Sequence, residues 1–182
     1  MLSKLIPGTS IEYAKENDAE SVFRPLLAIT GGLSLSQICA IADLQPSTIQ
    51  NWVKRGFVPH PENKKYTERH LFRILLISAL RDGMNIEDIG ELMILINGDA
   101  DDESDDIISE ERLYDYFCQA VRSLDRQSFN EKEIDEVLKA VLSEQADETG
   151  RLALALKVMV YGYISGICQK NVNDNLDLLK NK

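Results

Sequence analysis

Ser47, Thr48, Gln50, Asn51, Lys54 and Arg55 crowd hydroxyls, amides and cations into a short stretch of this chain. Hydroxyls and cations bind phosphate oxygens, and a planar amide can pair with the edge of a base. Lys64, Lys65 and Arg69 add further cations downstream. Residues of these types, so spaced, point to nucleic-acid binding. Catalysis has no comparable grouping: no Ser/His/Asp or Cys/His set with a motif around it, no phosphate loop and no nucleotide fingerprint. The expectation is therefore a protein that is not an enzyme and carries no cofactor.

These side chains need an element to position them. Leu35, Ile38, Cys39 and Ala42 recur at i, i+3, i+4, i+7, one face of a short helix. Asp43-Leu44-Gln45 breaks it. Pro46 suits a first helical turn, where its missing N–H would have no partner. A second helix over 47–55 then buries Ile49, Trp52 and Val53, and Gly56 ends it by taking positive φ. Two short helices about a sharp turn predict a helix-turn-helix. Phe57-Val58-Pro59 reads as a short extended piece, His60 to Lys65 as a polar loop, and Tyr66 closes it. Strand, basic loop and return to helix predict a small β wing.

The run STIQNWVKRGFVPHPENKKYTERHL resembles the start of MerR-type winged-helix regulators. Leu80-Arg81-Asp82-Gly83-Met84-Asn85-Ile86-Glu87-Asp88-Ile89 resembles a later step of the same family. The whole chain is similar to an uncharacterised bacterial family, domain of unknown function 1836, whose acidic Asn-Gly-Asp…Asp-Asp segment is matched by Asn97 to Asp106. Two departures from the MerR pattern stand out. Gln50 replaces the recognition-helix Arg, and Asn63-Lys64 replaces the Tyr-Arg pair of the wing. Each removes a guanidinium, a bidentate phosphate ligand.

The MerR likeness implies a sequence-specific transcriptional regulator of double-stranded DNA. A small-molecule or protein effector is a further partner. The rival reading is a protein–protein adaptor that reuses the fold without DNA. The expected fold is all-α: residues 1–32 a helical cap, 33–97 the winged helix-turn-helix with its β wing, 98–108 an acidic linker and 109–182 a C-terminal three-helix domain for dimerisation or an effector.

Charge is segregated along the chain. The protein of 182 residues has net charge −10, which repels DNA if spread evenly. From Gln45 to Arg81, however, seven basic residues face two acidic ones, a net of +5. From Gly98 to the end, ten basic residues face nineteen acidic ones, a net of −9. A basic module on an acidic body can still present a DNA-facing surface. Cys39, Cys118 and Cys168 lie far apart in apolar-periodic stretches, which suggests buried thiols in a reducing cytosol. Neither His60 nor His70 pairs with them at metal-ligand spacing, so no metal is expected. DADDESDD, Asp99 to Asp106, has Ser104 where a calcium loop needs Gly. It reads as a solvated linker. No signal peptide is visible.

The remaining helices follow from periodicity and caps. Residues 11–28 predict one or two helices, with Ser10 as cap and Pro25 at a helix start. Thr67 caps a helix over 67–82, and Asn85 caps the next, which stops at Asn97-Gly98. Ser109-Glu110-Glu111 opens another, and Asn130 with Glu133 is spaced like a capping box. The last helix, about 148–171, is apolar nearly all round, which suits a central core helix or an oligomer contact. It holds Lys157 and is too short to read as a membrane span. From Asn171 a polar tail should fray. Met159, Tyr161 and Tyr163 read as core in preference to an effector pocket. One recognition module has few base contacts, so a homodimer through the C-terminal helices is expected, with Gly162 and Gly166 at or near the contact.

Overall fold

The computed structural model describes residues 5–12, 19–98, 106–124 and 130–180. The chain is all-α, with eight helices among those residues: α1 Ala19–Thr30, α2 Leu35–Ala42, α3 Pro46–Lys54, α4 Glu68–Leu80, α5 Ile86–Asn97, α6 Glu110–Ser123, α7 Glu131–Val141 and α8 Arg151–Lys180. Their N-termini are set locally. The Ser34 hydroxyl accepts from the Gln37 N–H and the Gln37 side chain accepts from the Ser34 N–H, a reciprocal cap for α2. Asn85 Oδ1 caps α5 through the Asp88 N–H at 2.8 Å, and Asn130 Oδ1 caps α7 through the Glu133 N–H at 3.1 Å.

The most deeply buried helix is α4; α8, whose composition suited a central core helix or an oligomer contact, buries eight of its 30 residues. Ten residues of α4 are buried, from His70 to Ile77 with Ala79 and Leu80. It packs chiefly on α6, and also on α8, α2 and α5. The N-terminal segment is pinned to the same core. Phe23 meets Phe72 edge-on, Phe72 lies 5.3 Å from Tyr114, and the Tyr114 hydroxyl donates to the Pro7 carbonyl at 2.7 Å. The buried side chains form one cluster running from Ile6 to Ile164. Residues 33–97 and 109–182 therefore share a core.

Several expectations are corrected. Among the described residues there is no β-strand, only isolated bridges joining Leu5 to Glu12, Leu33 to Tyr66 and Glu62 to Lys65. Phe57-Val58 is a bend and Pro59 is irregular, because the Phe57 N–H turns back to bond the Trp52 carbonyl at 2.9 Å. Ile11 and Glu12 are not helical. The Leu5–Glu12 bridge closes a tight loop in which the Thr9 hydroxyl caps the Ile11 N–H, and Ser10 sits in its bend. Residues 13–18 of the expected N-terminal helix lie outside the described residues. Pro25 lies inside α1 and not at its start. The acidic stretch 99–105 also lies outside the described residues. Its ends are held together by the Ile107 N–H on the Ile96 carbonyl and by buried Asn97 donating to the Ile108 carbonyl.

The glycines of α8 are placed within one chain. A Cβ on Gly162 would meet the Met84 side chain, one on Gly83 would overlap the Gly162 carbonyl, and one on Gly166 would press on Asp82. Small residues let α8 pass directly over the end of α4, so Gly162 and Gly166 are not dimer contacts. Gly166→Leu should therefore destabilise the fold by about 1–3 kcal/mol or more through overpacking, with the sedimentation mass unchanged. A folded variant of altered mass would contradict this placement. Asn171 does not begin a frayed tail: α8 runs on to Lys180 as an exposed helix.

Candidate nucleic-acid interface

The polar face of α3 follows from its register. Ile49 and Trp52 point into the core, three residues apart, and Val53 is half-buried beside them. Ser47, Gln50, Asn51, Lys54 and Arg55 are left exposed, and Thr48 is half-buried. Pro46 stands at the first position of the helix, and Gly56 follows it with φ 77°. Asp43 takes φ 52° between α2 and α3, so the link is a short left-handed turn.

The basic loop is a tight turn. Asn63 and Lys64 both have positive φ, 49° and 63°, the backbone of a two-residue turn with two left-handed centres. It is closed by the Lys65 N–H on the Glu62 carbonyl at 2.7 Å. Both lysines are exposed, and Lys65 Nζ reaches the Gly32 carbonyl at 3.4 Å. Below the turn, Tyr66 is buried and exchanges two 2.8 Å backbone bonds with Leu33, the residue two before α2. Because α2 also packs on α3, it is the common neighbour of both polar elements. His70 braces the base of the turn. Its Nδ1 accepts from the Thr67 N–H at 3.1 Å, which leaves Nε2 to donate to the His60 carbonyl at 3.2 Å.

Two of the expected contact residues form ion pairs within the chain. Arg55 stacks over the Phe57 ring at 4.6 Å and pairs with Glu87 of α5. The hydrogen bond from Arg55 holds the Glu87 carboxyl below its usual range. Arg69 differs more. Its side chain is 12% exposed, with Nε 3.2 Å from Glu110 and Nη2 3.4 Å from Asp106. One turn on, Arg73 is bonded to the same Glu110 at 2.7 Å and donates to the Phe57 carbonyl at 2.9 Å. Arg69 is thus a structural cation, and it leaves the candidate interface. Arg73 and Glu110 gave no sequence signal, because each reads as an ordinary surface residue of a charged helix start or face.

The cysteines divide three ways: Cys118 is buried, Cys39 half-buried and Cys168 exposed, which corrects the reading of three buried thiols. Burial pushes the Cys39 thiol pKa up. Of the aromatic residues of α8, Tyr163 packs edge-on against Phe117, and Tyr161 stays partly exposed. Among the described residues no group of three or more His, Cys, Asp or Glu is placed to hold a metal ion.

Residues 32–117 match the domain of unknown function DUF1836. That span takes in α2 to α5 and more than half of α6, so it holds both polar elements and the Arg73–Glu110 contact. The chain is also similar to the uncharacterized protein YkrK of Bacillus subtilis (strain 168), 30% identical over 112 residues. The alignment covers 58% of this chain and 48% of YkrK, so the chain spans about half the length of that relative. No solved structure matches. One described helix, α8, is long and apolar enough to cross a membrane, but 44% of its most apolar stretch is buried in the fold.

Proposed function

We propose that this protein is a cytosolic, sequence-specific DNA-binding transcriptional regulator built on a MerR-like helix-turn-helix. The observation that carries the reading is the exposed polar face of α3, Ser47, Gln50, Asn51 and Lys54, over a buried Ile49 and Trp52. A helix that buries one edge and offers amides and a cation on the other suits a major groove. Gln50 and Asn51 would pair with adenine edges, and Lys54 with guanine or phosphate. The turn bearing Lys64 and Lys65 takes the place of a wing and supplies phosphate contacts. Arg55 joins the contact by exchanging Glu87 for a phosphate. Two copies on a two-fold site would double a small contact area.

Selection of bound sequences from a random duplex pool, followed by titration across salt, tests the reading. DNA binding should weaken steeply with salt as counterions are released. A protein that selects no sequence and binds duplex no better than other acidic proteins would reject it and favour the adaptor reading.

The turn makes a separate prediction. Replacing Lys64 and Lys65 with Ala should weaken all duplexes about equally and flatten the logarithmic salt slope by about two. An unchanged slope would remove the turn from the interface.

A further inference from the structure

Between the end of α3 and α5 lies a pocket of about 360 Å³. It exists because three positions in its wall carry no side chain. Gly56 turns the chain out of α3 with φ 77°, and Gly98 ends α5 with φ 51°. Gly90 lies within α5, where a Cβ would stand 2.6 Å from Cε1 of Phe57. Its absence lets the Phe57 ring seat directly on the helix. Phe57 and Ile94 give the pocket apolar walls.

Two guanidinium groups line the same space. Arg73 is 2% exposed. Its Nε donates to the Phe57 carbonyl and its Nη1 to Glu110. No described residue takes a hydrogen bond from its Nη2. A buried donor left without a partner is costly, so this nitrogen calls for an acceptor from the pocket. Arg55 is 39% exposed and spends its Nη2 on Glu87, itself 66% exposed. An ion pair this open to water holds little. A better-placed anion can therefore take Arg55 from Glu87.

We propose that this pocket binds a small organic monocarboxylate with an apolar, single-ring body. One carboxylate oxygen accepts from Arg73 Nη2 and the other from Arg55, while the ring lies against Phe57 and Ile94. The neighbouring charges set the charge of the ligand. Arg73 is balanced by Glu110, Arg69 by Asp106 and Arg55 by Glu87. Only when Glu87 turns out to water does one positive charge become available, which suits a carboxylate better than a phosphate dianion. The volume lies at the small end of the roughly 300–1,000 Å³ of ligand pockets, which is room for one ring. Residues 55–57 follow α3 directly, so an occupant ties the end of that helix to α5. Binding stands apart from the DNA reading, and its test uses no DNA.

The isotope-labelled full chain is titrated with benzoate, phenylacetate and cyclohexanecarboxylate while its backbone amides are followed by NMR. At least one acid should shift the Gly56, Gly90 and Gly98 signals saturably, with a Kd of about 1 mM or tighter. The matching neutral amide and inorganic phosphate should each bind about tenfold more weakly or worse. Glu87→Gln should tighten binding about threefold by removing the internal competitor. Arg55→Gln should weaken it about tenfold. Both side chains are exposed, so the helical circular dichroism should persist in both variants. The proposal is overturned if none of the three acids moves those glycines by about 10 mM. An amide that binds as tightly as its acid, or phosphate that matches the acids, would overturn the carboxylate assignment. Unchanged affinity in Glu87→Gln would overturn the exchange of Glu87 for the ligand.

Discussion

Glu110→Ala is expected to cost about 3–5 kcal/mol of folding stability. Glu110 and Arg73 are each 2% exposed and bonded at 2.7 Å, with the Arg69 Nε 3.2 Å from the same carboxylate. Removing the carboxylate leaves the Arg73 charge buried without its counter-ion. That penalty exceeds the net worth of the pair, because desolvation of the guanidinium is no longer offset. Replacing both partners, Arg73→Met with Glu110→Met, should recover much of the loss, since a buried pair exchanged for apolar residues is often neutral. Urea denaturation of the three variants measures this. A loss below about 1 kcal/mol for Glu110→Ala would mean that Arg73 reaches water, and that the pair does not hold α6 to α4. The contact also bears on the interface, because Arg73 holds the Phe57 carbonyl just beyond α3. The double replacement should keep the fold while loosening that segment.

Trp52→Ala is expected to cost about as much, roughly 3–5 kcal/mol, by opening a large cavity under α3. Trp52 is 5% exposed, and its carbonyl accepts the Phe57 N–H that turns the chain after α3. In a chain of this length the melting temperature should fall by roughly 10 °C. Because the core is continuous, the loss should appear as one transition and not as selective melting of α2 and α3. Trp52→Phe should retain most of the stability by keeping an aromatic ring in place. A Trp52→Ala protein that melts as wild type but no longer binds duplex would put Trp52 on the binding face, and the register of α3 would then be wrong by about a third of a turn.

The candidate interface was legible in the sequence where its determinants are local. Pro46, Gly56 and the Ile49–Trp52 spacing act within one or two turns, and they place Ser47, Gln50, Asn51 and Lys54 outward without reference to the rest of the chain. Lys64 and Lys65 were legible as an exposed polar loop, but not as a turn without strands. That outcome depends on Tyr66 pairing with Leu33, far from it in sequence. Arg69 was misplaced for a related reason. Its distance from α3 and from the Lys64–Lys65 turn is short along the chain, but its carboxylate partners lie at the start of α6 and just before it.

By itself, then, the sequence determined the helical class, the start of every helix from α2 to α7, and the segregation of basic from acidic charge. Caps and apolar periodicity act between residues three or four apart, so they need no tertiary partner. Tertiary structure alone decided which helix is central. The all-round apolar composition of α8 suited it to that place or to an oligomer contact, yet α4 is the more deeply buried helix, with ten of its 13 residues buried against eight of 30 in α8. Tertiary structure also decided that Gly162 meets Met84 within one chain, and that Arg73 is paired with a residue 37 positions away. A buried charge or a glycine contact is stabilised by whatever the fold brings against it, and that partner leaves no mark on the neighbouring sequence.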